Sequence, residues 1–401
     1  MTSAGDAQGR GALLAKFFSV AVLLLAMAPS SGFAAAGELD ITFAKDGVDL
    51  TSVGSRLDGD DKAFSAVPLP DGGYVVAGYT SNGRNTDFAL VRYDEFGALD
   101  ASFGGGDGIV TTAIGSGHDQ AYSVIADAQG KLVVAGYSSN GTDDDFALAR
   151  YTSDGKLDPS FGGGDGIVVT AVGGAGDQAY SLIEDNSGNL VVAGTSFNGN
   201  DHDVALVRYD SNGVLDNGFG GGDGIVTTTV SGARDAANAV IEDSSGNLVV
   251  AGFAGQGGVD FLLMRYDNTG ALDTTFGGGD GIVMTHLGAT YDRAYSVLED
   301  SSGNLVVAGW STSGGGASWK LVRYLSSGEI DLSFGGGDGI VSTPALADTA
   351  LAVLEDSGGK LVMAGVATVG STAYGSTYAI VVARYETAGL LDSSFGSDAV
   401  V

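Results

Sequence analysis

Apolar residues in this chain come in short bursts that Gly, Asn and Asp interrupt, and beyond the first few dozen residues no stretch keeps a helical period. Residues 119–172 show the scheme. Ala121–Ile125 reads as a short strand, closed by the turn Asp127-Ala128-Gln129-Gly130. Leu132–Gly136 is apolar at consecutive positions, which predicts a second strand buried on both faces. Phe146–Tyr151 is a third, and the turn Gly162-Gly163-Gly164-Asp165-Gly166 leads to a fourth, Ile167–Val172. Four strands rich in Val, Tyr and Phe, separated by turn-sized gaps, describe one antiparallel blade.

The blade recurs. A Leu-Asp-x-x-Phe block followed by a glycine turn places Phe43, Phe103, Phe161, Phe219, Phe276, Phe334 and Phe395 at intervals of 57 to 61 residues, most often 58. A period that regular means one supersecondary unit, copied and stacked. Six triplets of inner strands begin near Lys62, Asp119, Asp177, Asp235, Asp292 and Asp348, whereas the fourth-strand element occurs seven times, because Gly37–Phe43 precedes the first triplet. The mature chain, from Gly37, is therefore expected to start in mid-repeat. The segment Val48–Val53 is expected to complete the last blade and close a ring, since the C-terminal copy, Ala399-Val400-Val401, is too short to do so. Closure removes the exposed edges of an open stack. The expected fold is all-β, a six-bladed β-propeller of four-stranded antiparallel blades. A calcium-binding parallel β-helix would need Gly-Gly-x-Gly-x-Asp in tandem nonapeptides, but Gly-Gly-Gly-Asp-Gly appears once per long repeat, and the WD40 and Kelch signatures are absent.

Two regions separate from this pattern. Residues 1–36 read as a cleaved secretory signal peptide: Arg10 and Lys16 give a basic start, Phe17–Ala28 an apolar run, and Ala34-Ala35-Ala36 a small-residue cleavage site. Residues 37–401 then form a single propeller domain, secreted or periplasmic, with no further apolar stretch long enough to span a membrane. There is no cysteine, hence no disulfide and no lipid-anchored cysteine. The formal charge is −31, with no Lys/Arg cluster, which opposes nucleic acid and anionic lipid and favours cations or a basic partner.

The string Arg-Tyr-x-x-x-Gly-x-Leu-Asp-x-x-Phe-Gly, preceded by Leu-Val-Val-Ala-Gly, is carried by Arg150-Tyr151, Gly155, Leu157-Asp158, Phe161 and Leu132–Gly136. It recurs around Arg92, Arg208, Arg265 and Arg384, and around Arg323 with Ile330 in place of the leucine. This combination resembles the bacterial delta-60 repeat family, and the resemblance implies β-propeller blades, a bacterial origin and no assigned activity or catalytic residues.

Chemistry is sparse. The arginines at 92, 150, 208, 265, 323 and 384 recur with Phe103, Phe161, Phe219, Phe276 and Phe334, so they are expected to be structural, each pairing with a repeated aspartate or capping turn carbonyls. The glycine turn precedes a strand, not a helix, so it is a tight turn and not a phosphate cradle. Asp143, Asp145, Asp201 and Asp203 lie in acidic loops that offer oxygen ligands for calcium without matching an EF-hand. His118, His202 and His286 occupy non-equivalent places, and no nucleophile elbow or zinc-helix motif occurs. No catalytic residue is assigned.

Comparing the blades with one another points to a face. Loops between strands two and three, and from the fourth strand to the next blade, vary in length and chemistry, while the other turns repeat nearly unaltered. Binding residues gather on variable loops of rigid scaffolds. The candidates on that face are His118, Asp144, His202, Arg234, Tyr291, Arg293 and Trp310. The expected role is a binding platform for protein or glycan outside the cytoplasm, with calcium as a possible stabiliser; the competing reading is a glycan-active hydrolase or lyase using acidic residues near the channel.

Overall fold

Short strands with turn-sized connections fold as meanders, and in the computed structural model each sequence repeat forms one sheet. Residues 51–53, 61–255, 258–288, 291–313, 316–343, 348–372 and 375–396 are described. Residues 1–36, read above as a signal peptide, half of the Val48–Val53 segment and Ala399–Val401 lie outside them.

Blade one contains β1 (Lys62–Pro68), β2 (Tyr74–Ser81), β3 (Thr86–Tyr93) and β4 (Ile109–Thr112), and blade two β5 (Asp119–Ala126), β6 (Leu132–Ser139), β7 (Asp144–Tyr151) and β8 (Ile167–Thr170). Blade three contains β9 (Ala175–Glu184), β10 (Leu190–Phe197), β11 (His202–Tyr209) and β12 (Ile225–Thr228), and blade four β13 (Ala236–Glu242), β14 (Leu248–Ala254), β15 (Asp260–Tyr266) and β16 (Ile282–Thr285). Blade five contains β17 (Tyr291–Glu299), β18 (Leu305–Ser313), β19 (Gly316–Tyr324) and β20 (Ile340–Thr343). Blade six has β21 (Asp348–Glu355), β22 (Leu361–Thr372) and β23 (Gly375–Tyr385), three strands among the described residues. Among the described residues every ladder within a blade joins sequence neighbours and is antiparallel, and a single parallel bridge, Val259 to Tyr291, links blades four and five, so the fold is a six-bladed propeller. First strands of successive blades pack against one another and surround the axis.

The continuous apolar run of each second strand has a direct cause. Leu132 and Val134 pack towards blade one, while Val133 and Ala135 pack towards blade three. Each junction between blades one to six holds one such core, so a strand in the middle of the stack has no polar face. The loops expected at Ser311–Ser318 and Ala367–Thr377 differ from expectation: β18–β19 and β22–β23 run on as ladders, with Ser313 opposite Gly316 and Thr372 opposite Gly375. Those segments are rich in Ser, Thr and Val, which suit an extended ladder as well as a loop.

Each first strand carries a β-bulge, and its position repeats. The register shifts at Phe64, Tyr122, Tyr180, Asn238, Tyr295 and Leu351. Opposite every bulge stands the glycine of Val-Ala-Gly or its equivalent. A Cβ on Gly194 would sit 2.0 Å from the Gln178 carbonyl oxygen, and one on Gly136 would sit 1.9 Å from that of Gln120. Only glycine allows the backbone to approach that closely. The recurrent glycine and the bulge are one device.

The outer rim repeats a second device. In each blade the arginine before the third-strand tyrosine sets Nε 2.7 to 2.9 Å from the Leu-Asp (in blade five, Ile-Asp) carboxylate. In blades two to six the guanidinium also lies over the block's phenylalanine, 4.5 to 4.8 Å from the ring centre. In blades one to five it donates to a carbonyl of the following blade, as Arg208 does to Asn268 O at 2.6 Å. In blade one, Arg92 Nε is close to Asp100 but off hydrogen-bond geometry, so that contact is an ion pair only. Buried tyrosines add a further link, for example Tyr209 OH to Thr170 Oγ1 of the preceding blade at 2.8 Å.

These clasps set an acid limit. Hydroxyl bonds from Ser102, Thr275 and Ser333, then the neighbouring N–H and arginine, hold Asp100, Asp273 and Asp331 below the usual carboxylate range against the opposing effect of burial. Burial pushes Asp158 up, but Lys131, Ser160 and Arg150 together hold it low, and Lys360 does the same first for Asp392. A carboxylate whose folded pKa is depressed contributes stability above its unfolded pKa, about 4, and loses it as pH falls below that. Denaturant midpoints are expected to stay level from neutral pH to about 5 and to fall steeply below about 4. A level midpoint down to about pH 3 would contradict this.

Candidate functional site

The bulge decides which side chains reach the axis. An extra residue in one strand is left out of the ladder and its side chain is re-aimed. Phe64, Tyr122, Tyr180, Asn238, Tyr295 and Leu351 are these residues, all partly buried, on the strands that surround the channel. Four are aromatic, and three of those touch in sequence: Phe64 to Tyr122 at 4.6 Å, then Tyr122 to Tyr180 at 5.5 Å edge-on. Tyr79 and Tyr137 extend the arc from the second strands, 5.6 Å from Phe64 and 6.1 Å from Tyr122. The result is an aromatic arc on one side of the channel.

Polar groups join the arc blade to blade. Gln178 donates from Nε2 to Asp144 Oδ2 of blade two at 3.0 Å and accepts at Oε1 from Tyr180 OH at 2.8 Å. Arg234 of blade four donates to Tyr180 OH at 3.3 Å, and Tyr122 OH donates to Gln120 Oε1 at 3.0 Å. Burial, then the neighbouring tyrosines and Asp144, pushes the Tyr122 hydroxyl far above its ordinary value. Tyr137 is pushed up in the same way, by burial first and then by Asp144. These hydroxyls stay protonated at neutral pH and are not bases; that of Tyr122 serves as a hydrogen-bond donor.

The candidates from the sequence fall into three groups. Asp144 and Arg234 belong to the connected chain, and His202 stands beside it, its ring 5.1 Å from Phe197 and its pKa lowered by burial and then by Arg234. Arg293 and Trp310 form a second cluster: they are register partners, and the Arg293 guanidinium lies 4.5 Å above Phe253 of the preceding blade. Arg293 Nε and Trp310 Nε1 are buried donors with no acceptor among the described residues. His118 and Tyr291 stand apart, the first exposed beside Thr86 Oγ1, the second half-exposed at the start of β17.

In the acidic loops, asparagines bind the aspartates. Asn140 Nδ2 donates to Asp143, and Asn198 Nδ2 donates to Asp201 Oδ1 at 2.6 Å and Asp203 Oδ2 at 2.8 Å. Asp145 is pushed up by burial, then by Asp143 and Asp177. The bulge residues were not among the sequence candidates. Their signal was present: between a constant alanine and a following serine or alanine, this position reads Phe, Tyr, Tyr, Asn, Tyr, Leu.

The family described as domain of unknown function (DUF5122) beta-propeller matches residues 69–103, 129–161, 186–219, 244–276, 301–334 and 359–395, together just over half of the chain. No curated protein matches the sequence. Among solved structures, virginiamycin B lyase from Staphylococcus aureus is similar with 12% identity and a TM-score of 0.47, covering 82% of this chain and 83% of that one. The PQQ-bound aldose sugar dehydrogenase from Streptomyces coelicolor is similar with 13% identity and a TM-score of 0.44, covering 82% and 96%. A protein of unknown function from Bacteroides caccae has 13% identity and a TM-score of 0.43, covering 81% and 96%. Likeness at this level transfers no chemistry.

Proposed function

This chain belongs to the DUF5122 β-propeller family, and from that premise we propose that it is an extracytoplasmic binding platform whose ligand is an oligosaccharide held at the channel mouth. The repeats are read as delta-60 blades, and the leader over residues 1–36 is read as directing export. The observation that carries the reading is the aromatic arc of Phe64, Tyr122 and Tyr180 joined to Asp144, Gln178 and Arg234. Sugar rings present apolar C–H faces that stack on aromatic rings, and hydroxyls that pair with amides, carboxylates and guanidinium groups. Among the described residues neither Arg234 nor Arg293 pairs with a carboxylate, in a chain of formal charge −31. Two guanidinium groups without a carboxylate partner, on the face read here as the binding face, support a sugar bearing a carboxylate.

The test is a panel of neutral and uronate-containing oligosaccharides presented to the mature chain. Arg234 is exposed, so Arg234→Ala should leave the fold intact and weaken retention of the preferred sugar about tenfold, the order expected when a charged hydrogen bond is lost. Equal retention by the variant would overturn the site. Release of shortened or unsaturated sugar during the assay would instead favour the hydrolase or lyase reading.

A further inference from the structure

Each junction from blade one to blade five carries two aspartates on the variable-loop face. One starts the third strand and the other starts the next blade's first strand: Asp87 with Asp119, Asp145 with Asp177, Asp203 with Asp235, Asp260 with Asp292. The second member of each pair is fully or almost fully buried. At three junctions it is well satisfied by the loop before it. Asp119 accepts from Ile114 N and Gly115 N at 2.7 to 3.1 Å. Asp177 accepts from Val172 N and Gly173 N at 2.7 Å and from Phe197 N at 3.2 Å. Asp235 uses Val230 N, Ser231 N and Ser231 Oγ.

The fourth junction departs from this. Asp292 is 0% exposed, yet it accepts only from Leu287 N, at 2.8 Å through Oδ2, and its Oδ1 is buried with no hydrogen-bond partner among the described residues. A buried carboxylate oxygen left unsatisfied is costly unless a cation meets it. At this junction alone a histidine joins the pair: His286 stands where the other blades have Ala113, Ala171, Thr229 and Pro344. Its Nδ1 lies 2.8 Å from Asp260 Oδ1. One ligand atom from each of Asp260, His286 and Asp292 lies within 4.8 Å of the others, and among the described residues no other three His, Cys, Asp or Glu side chains converge in this way. Asp87 and Asp203 also have an orphan oxygen, but no third ligand stands beside them.

We propose that Asp260, His286 and Asp292 bind a divalent transition-metal ion, with zinc the expected occupant, across the junction of blades four and five. One imidazole nitrogen with two carboxylates suits zinc, whereas calcium and magnesium take oxygen ligands. Asp292 is the fixed ligand, held by the loop and by burial. His286, with 64% of its side chain exposed, gives up its bond to Asp260 and swings onto the ion. Three protein ligands leave a position for water. This site is independent of the sugar-binding reading, because none of its residues belongs to the aromatic arc.

The test is zinc titration of the mature chain followed by calorimetry, in excess magnesium to occupy diffuse sites on so acidic a surface. The expected result is one strongly bound zinc per chain, at least about tenfold weaker in His286→Ala and in Asp292→Asn, in line with the loss of one ligand. Cobalt should give visible absorption bands in the wild type that His286→Ala abolishes. Asp292→Asn alters a buried group, so its melting curve is taken alongside; His286→Ala changes an exposed side chain and decides the matter if the other variant fails to fold. No stoichiometric zinc, or equal affinity in wild type and His286→Ala, would overturn the site.

Discussion

Removing residues 37–53 is expected to lower the melting temperature by about 10 °C, on the proposal that this segment completes blade six as its fourth strand. Val53 N–H donates to Asp61 Oδ2 at 3.0 Å. At the starts of blades two to five the residue two places after the preceding fourth strand makes the same bond: Ile114 to Asp119, Val172 to Asp177, Val230 to Asp235 and Leu287 to Asp292. Counting back from Val53 sets Val48–Thr51 against Ile109–Thr112, with Gly47 against Gly108. Blade six also shows the need. Phe88, Phe146, Val204, Phe261 and Trp319 pack against the following blade and are at most 1% exposed, whereas Ile380, at the same place in blade six and facing the junction that ring closure would seal, is 61% exposed.

A four-residue strand brings several backbone hydrogen bonds at about 1 kcal/mol each, and covering Ile380 adds about 2 kcal/mol. The total is on the order of 5 kcal/mol, or about 10 °C for a domain of this size. Ile380→Asp separates closure from a general effect of truncation. It should destabilise the full chain and leave the truncated chain unchanged. If the truncated protein melts with the full chain, the ring is not closed by its N-terminal segment.

Arg265→Ala should cost about 3 kcal/mol, because it strands partly buried carboxylates on both sides of the clasp. Arg265 is buried between Asp273, at 2.8 Å, and Asp243, at 3.8 Å, and bonds to Ser326 O of blade five at 2.6 Å. It also stacks on Phe276 at 4.6 Å. Lysine cannot reproduce a planar fork that serves a carboxylate, a carbonyl and a ring together, so Arg265→Lys should recover less than half of the loss. Arg150→Ala should be milder. There Lys131 Nζ lies 2.5 Å from Asp158 Oδ2 and still neutralises it, whereas blade four has Asn247 in that place. Denaturant unfolding of the three variants checks the order; equal losses for Arg265→Ala and Arg150→Ala would contradict the electrostatic account.

The propeller was legible because its signals are local and repeated. Apolar runs such as Leu132–Gly136 announce burial on both sides, and six copies average away the ambiguity of any one. The arginines were legible for the same reason: six identical copies imply one structural partner, and each has it in the Leu-Asp (or Ile-Asp) carboxylate. The channel lining was not legible, because its cause is a register shift. Reading Ala121-Tyr122-Ser123-Val124 as a regular strand places Tyr122 by simple alternation, and the bulge that re-aims it is created by Gly136, fourteen residues away. The metal ligands were hidden differently. Asp260, His286 and Asp292 come from two blades and the loop between them, and Asp292 differs from its equivalents only in which backbone N–H groups reach it.

We propose that one face of the propeller, at the channel mouth, binds sugar and that the other does not. The direct measurement is calorimetric affinity for the best-retained oligosaccharide in three proteins: wild type, Tyr122→Leu at the mouth, and Phe96→Ala on the opposite face. Phe96 is 60% exposed, so its removal tests an aromatic ring without disturbing the core. Binding should fall at least tenfold in Tyr122→Leu, consistent with the loss of one stacking ring worth about 1 to 1.5 kcal/mol and its hydroxyl bond, and should be unchanged in Phe96→Ala. Unchanged binding in Tyr122→Leu, or loss in Phe96→Ala, would place the ligand elsewhere and contradict the account.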